Sequence, residues 1–332
     1  MKWTLTPAAG FAAHAAQWDA LQACAAAAPM LQADFVGALL DAFGRGDELL
    51  AICADAMAIV RPHGRGSWAT FQPAQAPLGL WIERPGLDRA AALASLLHAL
   101  PGIALLLGLT QLDPLLAPAP HDPIDYIQTA RITVAGSFDA YWATRGKNLR
   151  SNLKKQRAKL AADGVELRLQ TSTGVDQMLD AVRDFGRLES AGWKAQAGTA
   201  VHLDNAQGRF YSQMLAAFAA RGAASVYRYW FGAQLVAMDL CIRQDDCIVV
   251  LKTTYDESVP KTFSPALLMR EEAVRALFDA GATSRIEFYG KVMEWHTRWT
   301  EEVRTLYHLN AYRWTALRRL HALSKRNRQD QE

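Results

Sequence analysis

Apolar runs of six to nine residues, broken only by short polar or glycine-bearing pairs, dominate the stretch from Ser225 to Trp299. Ser225–Phe231, Gln234–Ile242 and Ile248–Tyr255 predict three strands, joined at Gly232-Ala233 and at Gln244-Asp245-Asp246 as antiparallel hairpins. A polar loop, Asp256–Phe263, leads to Ser264-Pro265, a helix-start pair in which serine caps an orphan N–H and proline sits where its missing donor costs nothing. The helix Ala266–Ala280 then stops at Gly281, and a short strand, Arg285–Tyr289, follows. Strand, loop, capped helix, strand is an anion-binding geometry: the free N–H groups of the first helical turn and the helix dipole point past the strand end, where a phosphate-bearing cofactor fits.

The same pattern places the other elements. Phe11–Ala28 and Gln32–Phe43 read as helices ended by Pro29 and Gly44. Leu49–Val60, the segment around Trp68–Phe71 and Leu78–Ile82 read as strands, followed by a helix Arg89–Leu100 and a buried strand Ile103–Leu109. Leu112–Pro123, with four prolines, reads as a linker. Beyond it come a strand Tyr126–Val134, a helical turn or two at Phe138–Arg145, a strand Val165–Gln170, an amphipathic helix Gly174–Leu188 and a helix Asn205–Arg221. Glu302–Tyr312 predicts a further strand and Trp314–Ser324 a basic helix. Helices, a meander, then helix and strand recur in both halves, so the order of elements suggests two related lobes, although no residue-level repeat accompanies it.

A chain of 332 residues that is 51% hydrophobic can bury one large core or two ordinary ones, and two is the expectation. The divisions expected are 1–122, 123–312 and a basic helix over 313–332. A formal charge of +3 argues against a globally nucleic-acid-coated protein. Four cysteines, at 24, 53, 241 and 247, have no metal-ligand spacing, so neither a metal nor a disulfide framework is expected. The N-terminus lacks the apolar core of a signal peptide and no run reaches the ~20 apolar residues that cross a bilayer, which makes a cytoplasmic, reduced setting the expectation. No Gly-x-Ser-x-Gly elbow is present and neither Cys241 nor Cys247 has a histidine partner, so covalent nucleophilic catalysis is disfavoured.

Charge supplies two candidate features. Arg145, Lys147, Arg150, Lys154, Lys155, Arg157 and Lys159 follow one another with no acid before Asp163, and 147, 150, 154 and 157 share one helix face. That face is either solvated or a phosphate-facing ridge, for coenzyme A or for RNA; the absence of interleaved aromatics disfavours RNA. Secondly, a two-residue turn at Asp245-Asp246 sets Asp239 directly across from Lys252, the lone charges of two apolar strands. The pair is either a satisfied internal ion pair or a proton acceptor tuned by a lysine. Glu287 and Tyr289 alternate on one strand and so share a face.

The order Gly-Ala-Gln-Leu-Val-Ala-Met, Lys-Thr-Thr-Tyr-Asp, Phe-Ser-Pro-Ala-Leu-Leu, Ile-Glu-Phe-Tyr-Gly and Arg-Trp resembles the acetyltransferase-like domain of the CelD/BcsL type, in the GNAT superfamily and related to the Fem-type peptidyltransferases. The likeness covers roughly Tyr141 to Trp299. It implies an α/β (α+β) fold of tandem GNAT-like lobes, each a mixed, mainly antiparallel sheet flanked by helices, with the second lobe active. Relatives usually have serine-proline-glycine at the helix start, where this chain has Ser264-Pro265-Ala266. The superfamily's degenerate phosphate loop is here Lys261-Thr-Phe-Ser264-Pro-Ala266, with no glycine.

The activity implied is transfer of an acetyl or other acyl group from coenzyme A to a small-molecule or sugar-linked amine, by direct attack and without a metal. Coenzyme A is then expected on Thr254, Tyr255, Lys261, Ser264, Ala266 and Leu267, with its pantetheine arm along Ile248–Tyr255. Asp239 is the candidate base, Glu287 a candidate acid at a position where relatives carry one, and Tyr289 the candidate proton source for the thiolate. Glu189, Trp193 and Lys252 are candidates for the acceptor side. Two other readings stand beside it: a Fem-like transferase drawing on aminoacyl-tRNA, and a catalytically idle scaffold in polysaccharide production.

Overall fold

The structure is a computed structural model that describes residues 1–191 and 201–319. The described residues divide into two compact units, one of Met1–Ala26, Met30–Ile127 and those from Thr305 onward, the other of Ala27–Pro29 and those within Gln128–Arg304. The expected division at 122/123 thus falls a few residues later, and the C-terminal strand, expected in the second lobe, groups with the first.

The first unit carries β1 (Thr4–Pro7), α1 (Ala15–Gln22), α2 (Ala33–Phe43), β2 (Leu49–Ile52), β3 (Ala56–Gly64), β4 (Ser67–Thr70), β5 (Trp81–Glu83), α3 (Arg89–Ala99) and β6 (Leu106–Leu112). Its sheet runs β1-β2-β3-β4-β6-β13, with β5 also on β3 and β13 spanning Val303–Tyr312. The single strand expected over Leu49–Val60 is a hairpin. The chain reverses at Cys53–Asp55, closed by the Cys53 N–H on the Ala56 carbonyl at 2.9 Å, and Ala51 pairs with Ala58. Asp55, the one charged residue in an otherwise apolar run, lies in this turn and was the local signal for it. β6 begins three residues after the expected start because Ile103 is exposed, and it extends into the supposed linker to pair Leu112 with Tyr307. That pairing, invisible in local sequence, is what takes β13 to the first unit. Asp88 caps α3 by accepting the Ala91 N–H, and Leu93, Leu96 and Leu97 of that helix pack on Trp3, Trp81 and Leu107.

The second unit is built from β7 (Ile124–Thr133), α4 (Phe138–Ala143), α5 (Lys147–Ala162), β8 (Leu167–Ser172), α6 (Met178–Ala191), α7 (Ala206–Ala220), β9 (Ala224–Phe231), β10 (Gln234–Gln244), β11 (Cys247–Tyr255), α8 (Pro265–Ala280), β12 (Arg285–Phe288) and α9 (Glu294–Thr297). Its sheet order is β7-β12-β11-β10-β9-β8, antiparallel except for the parallel pair β11 and β12. Helices cover both faces. Lys252 lies over the rings of Phe185 in α6 and Tyr211 in α7, while its neighbour Thr253 bonds Arg270 of α8. Successive strand residues point to opposite faces, so α6 and α7 lie on one side of the sheet and α8 on the other. Leu149 and Leu153 of α5 and Leu268, Met269 and Leu277 of α8 share that second side's core with Tyr229, Val250 and Ile286. Each unit is therefore a mixed, mainly antiparallel sheet flanked by helices, as expected.

Candidate active site

The parallel ladder of β11 and β12 is short. Cys247, Ile248 and Val249 pair with Arg285, Ile286 and Glu287, and there the pairing ends. Beyond that point β11 continues to Tyr255 while β12 stops at Phe288. The parting strands border a cavity of about 930 Å³, walled by Val250–Thr253 and Tyr255 on one side, by Phe288–Gly290, Met293, Trp295 and His296 on the other, and by Ser264–Leu267 and Arg270 of α8. Tyr255, Lys261, Ser264, Ala266 and Leu267 of the expected cofactor set line this cavity, as do Lys252 and Tyr289; Thr254 is buried and does not.

The hairpin turn is where its residues put it. Gln244 pairs with Cys247 across Asp245-Asp246, and Asp245 takes φ +51°, a left-handed conformation that a short polar side chain tolerates. The register then changes. Cys241 pairs with Val250 but Leu240 with Lys252, so Leu251 is an extra, bulged residue. The facing of Asp239 and Lys252 is overturned: after the bulge Asp239 stands opposite Thr253, and the two side chains go to opposite faces.

Each has a different partner. The fully buried Asp239 carboxylate receives Arg270 at 2.8 and 3.0 Å and the Thr253 hydroxyl at 2.6 Å. Burial pushes its pKa up, while Arg270 and Thr253 pull it back. Arg270, itself 3% exposed, lies beneath the rings of Phe288 and Trp295. Lys252 instead pairs with Glu189 at 3.1 Å, and Glu189 also accepts the Val201 N–H. Two residues picked separately for the acceptor side thus form one ion pair at the cavity wall. Glu287 does not reach the cavity; it is buried between Arg304 at 2.8 Å and Arg285 at 3.1 Å. Trp193 lies outside the described residues.

The start of α8 differs from its expectation. Ser264 makes no side-chain cap. Its carbonyl takes both the Leu267 and the Leu268 N–H at 3.0 Å, and its own N–H is held by Gln156 of α5 at 2.8 Å. Leu267 therefore offers no free amide, and Pro265 has none to offer. Lys261, Ser264 and Ala266 line the cavity at this point.

Sequence reading missed three residues of this wall: Arg270, Trp295 and His296. A lone arginine in the apolar stripe of α8 was the available signal for the first. His296 Nδ1 accepts the Met293 N–H at 3.0 Å, its ring stacks on Trp295 at 3.5 Å between centroids, and burial followed by the nearby Arg270 charge pushes its pKa down to about 4. Among the described residues, no group of three His, Cys, Asp or Glu side chains could hold a metal ion, and no helix is long and apolar enough to cross a membrane.

Part of the chain matches a known family, and the chain as a whole is similar in fold to several solved structures. Residues 147–297 match the model of the acetyltransferase (GNAT) domain family. The C-terminal domain of a putative lysylphosphatidylglycerol synthetase from Agrobacterium fabrum is similar over 92% of this chain and 93% of its own, with a TM-score of 0.56 at 14% identity. FemX is similar over 96% and 99%, with a TM-score of 0.55 at 10% identity, and L-PGS from Bacillus licheniformis over 94% and 96%, at 0.52 and 11%. At such identities the likeness is one of fold. No curated protein sequence matches the chain. Residues 147–297 are thus similar to a GNAT-type acetyltransferase domain, and the chain's fold is similar to that of FemX.

Proposed function

We propose that this chain transfers an acyl group from coenzyme A to an amine by direct attack within a ternary complex. The observation that carries the reading is the parting of β11 and β12 over the start of α8, with apolar walls from Val250, Leu251, Phe263 and Phe288. A pantetheine arm extends along the unpaired edge of β11 past Val249, where the bulge at Leu251 turns a peptide group out of the ladder. The diphosphate meets Ala266 N–H, the Ser264 hydroxyl and Lys261 at the α8 N-terminus. Tyr289 gives a proton to the leaving thiolate. The Lys252–Glu189 pair borders the acceptor side. Asp239 serves through Arg270, which it holds against Phe288 and Trp295, and Glu287 by fixing β12. Millimolar acetyl-, butyryl- and longer-chain CoA should raise the melting temperature. Saturation at 100 times Kd adds about 2.7 kcal/mol to stability. No shift with any of them, and no thiol release with a panel of amines, would refute this reading.

One observation favours a second donor. Lys147, Arg150 and Lys154 line another cavity, of about 490 Å³, with Trp142 and Ser151, and none of the three has a carboxylate partner among the described residues. An aminoacyl-tRNA donor would use this ridge. Its binding should then weaken steeply with salt, and neutralising the three cations should lower the slope by about 2–3.

A further inference from the structure

His296 borders the cavity, and the reading above gives it no part. It stands in α9, directly after the chain leaves β12, and its ring is held on three sides. Nδ1 accepts the Met293 N–H, Trp295 stacks on one face, and Phe288 meets it edge-on at 5.7 Å between centroids. An imidazole whose Nδ1 accepts a backbone N–H carries its proton on Nε2. Nε2 bonds no protein group among the described residues, and His296 lines the cavity.

The charges around it keep the ring neutral. Arg270 of α8 is the nearest, and its charge is shared with Asp239 of β10. Lys252, Asp256, Glu257 and Lys261 lie elsewhere on the cavity wall, and Glu294 of its own helix is occupied by Arg298. Burial and Arg270 both disfavour the imidazolium, so over the neutral range the ring is a fixed single donor and neither a base nor a source of protons.

We propose that His296 is a catalytic residue of the acyl transfer, its Nε2–H donating to the carbonyl oxygen of the thioester. This rests on the acyl-CoA reading of the cavity. The amine lone pair forms the C–N bond as the carbonyl π pair moves onto oxygen, where the Nε2–H hydrogen bond strengthens with the developing charge. The C–S bond then breaks as the carbonyl re-forms. The sulfur leaves with its electron pair and takes a proton from Tyr289, and the nitrogen releases its extra proton to water, which restores the tyrosine. The imidazole proton stays on Nε2 throughout.

The test combines kinetics with nitrogen NMR. His296→Phe keeps the stacking and removes the donor; it should lower kcat by about 10²–10³-fold with little change in KM for acyl-CoA. His296→Gln, whose amide can reach the place of Nε2, should recover part of that loss, and His296→Asn should not. In the free wild-type protein the ring should show the Nε2–H tautomer without titrating above pH 5. Its Nε2–H resonance should move downfield when a ketone analogue of acyl-CoA, with methylene in place of sulfur, binds. A Nδ1–H tautomer, an Nε2–H signal indifferent to the bound analogue, or a folded His296→Phe protein within threefold of wild-type kcat would overturn the assignment. A wild-type protein that binds no acyl-CoA would instead overturn the reading on which it rests.

Discussion

Replacing Asp239 with alanine should expose how the site is held. The carboxylate and Arg270 are 0% and 3% exposed and joined by two contacts of 2.8 and 3.0 Å, with Thr253 adding a third bond to the acid. Removing one partner of such a pair leaves a buried charge without compensation, at a cost of about 3–5 kcal/mol. For a unit of this size, each kcal/mol moves the melting temperature by roughly 2–4 °C, so Asp239→Ala should melt roughly 6–20 °C below wild type. The double variant Asp239→Leu with Arg270→Met removes both charges and fills similar volume. It should recover most of the loss, because two well-packed apolar side chains replace a buried ion pair at little cost or none. Thermal melts followed by circular dichroism on wild type, both single variants and the double complete the cycle. A single variant within about 1 kcal/mol of wild type, or a double variant as unstable as the sum of the singles, would refute the claim that Asp239 is engaged chiefly by Arg270.

Four further outcomes are expected. The pKa of His296 is pushed from its ordinary value near 6.5 down to about 4, so the neutral ring's contribution to stability is full above 6.5 and is lost as pH falls towards 4. Between pH 7.5 and 5, wild type should lose about 1–2 kcal/mol more than His296→Phe, allowing for water that reaches the ring from the cavity, and equal losses in melts at the two pH values would contradict this. Tyr289→Phe should reduce turnover of whichever acyl-CoA is accepted by about 10²-fold in a protein that still folds; retention of full activity in steady-state assays would remove the tyrosine from the mechanism. A Cβ on Gly208 would lie 1.8 Å from the His202 carbonyl oxygen, so Gly208→Ala should cost about 1–3 kcal/mol. Gly37→Ala, in the open interior of α2, should gain about 0.5–1 kcal/mol in the same denaturation assay.

The sequence by itself determined the local grammar of the second unit. Gly232 and Asp245-Asp246 set the two hairpin turns, Pro265 the first turn of α8, and Gly281 its left-handed end at φ +64°. These depend on the conformational range of single residues and so are legible one position at a time. Most of the cavity wall followed from them, because a strand, a loop and a helix in that order bring Tyr255, Lys261 and Ala266 to one place. Tertiary structure alone decided the bulge at Leu251, which no local propensity marks. By inserting one residue, it took Lys252 to Glu189 and gave Asp239 to an arginine 31 positions away. The first unit's claim on β13, the engagement of the Leu267 amide and the seating of His296 against Trp295 have the same origin: each is a choice among partners distant in the chain, fixed by packing and hydrogen-bond satisfaction rather than by any residue's own preference.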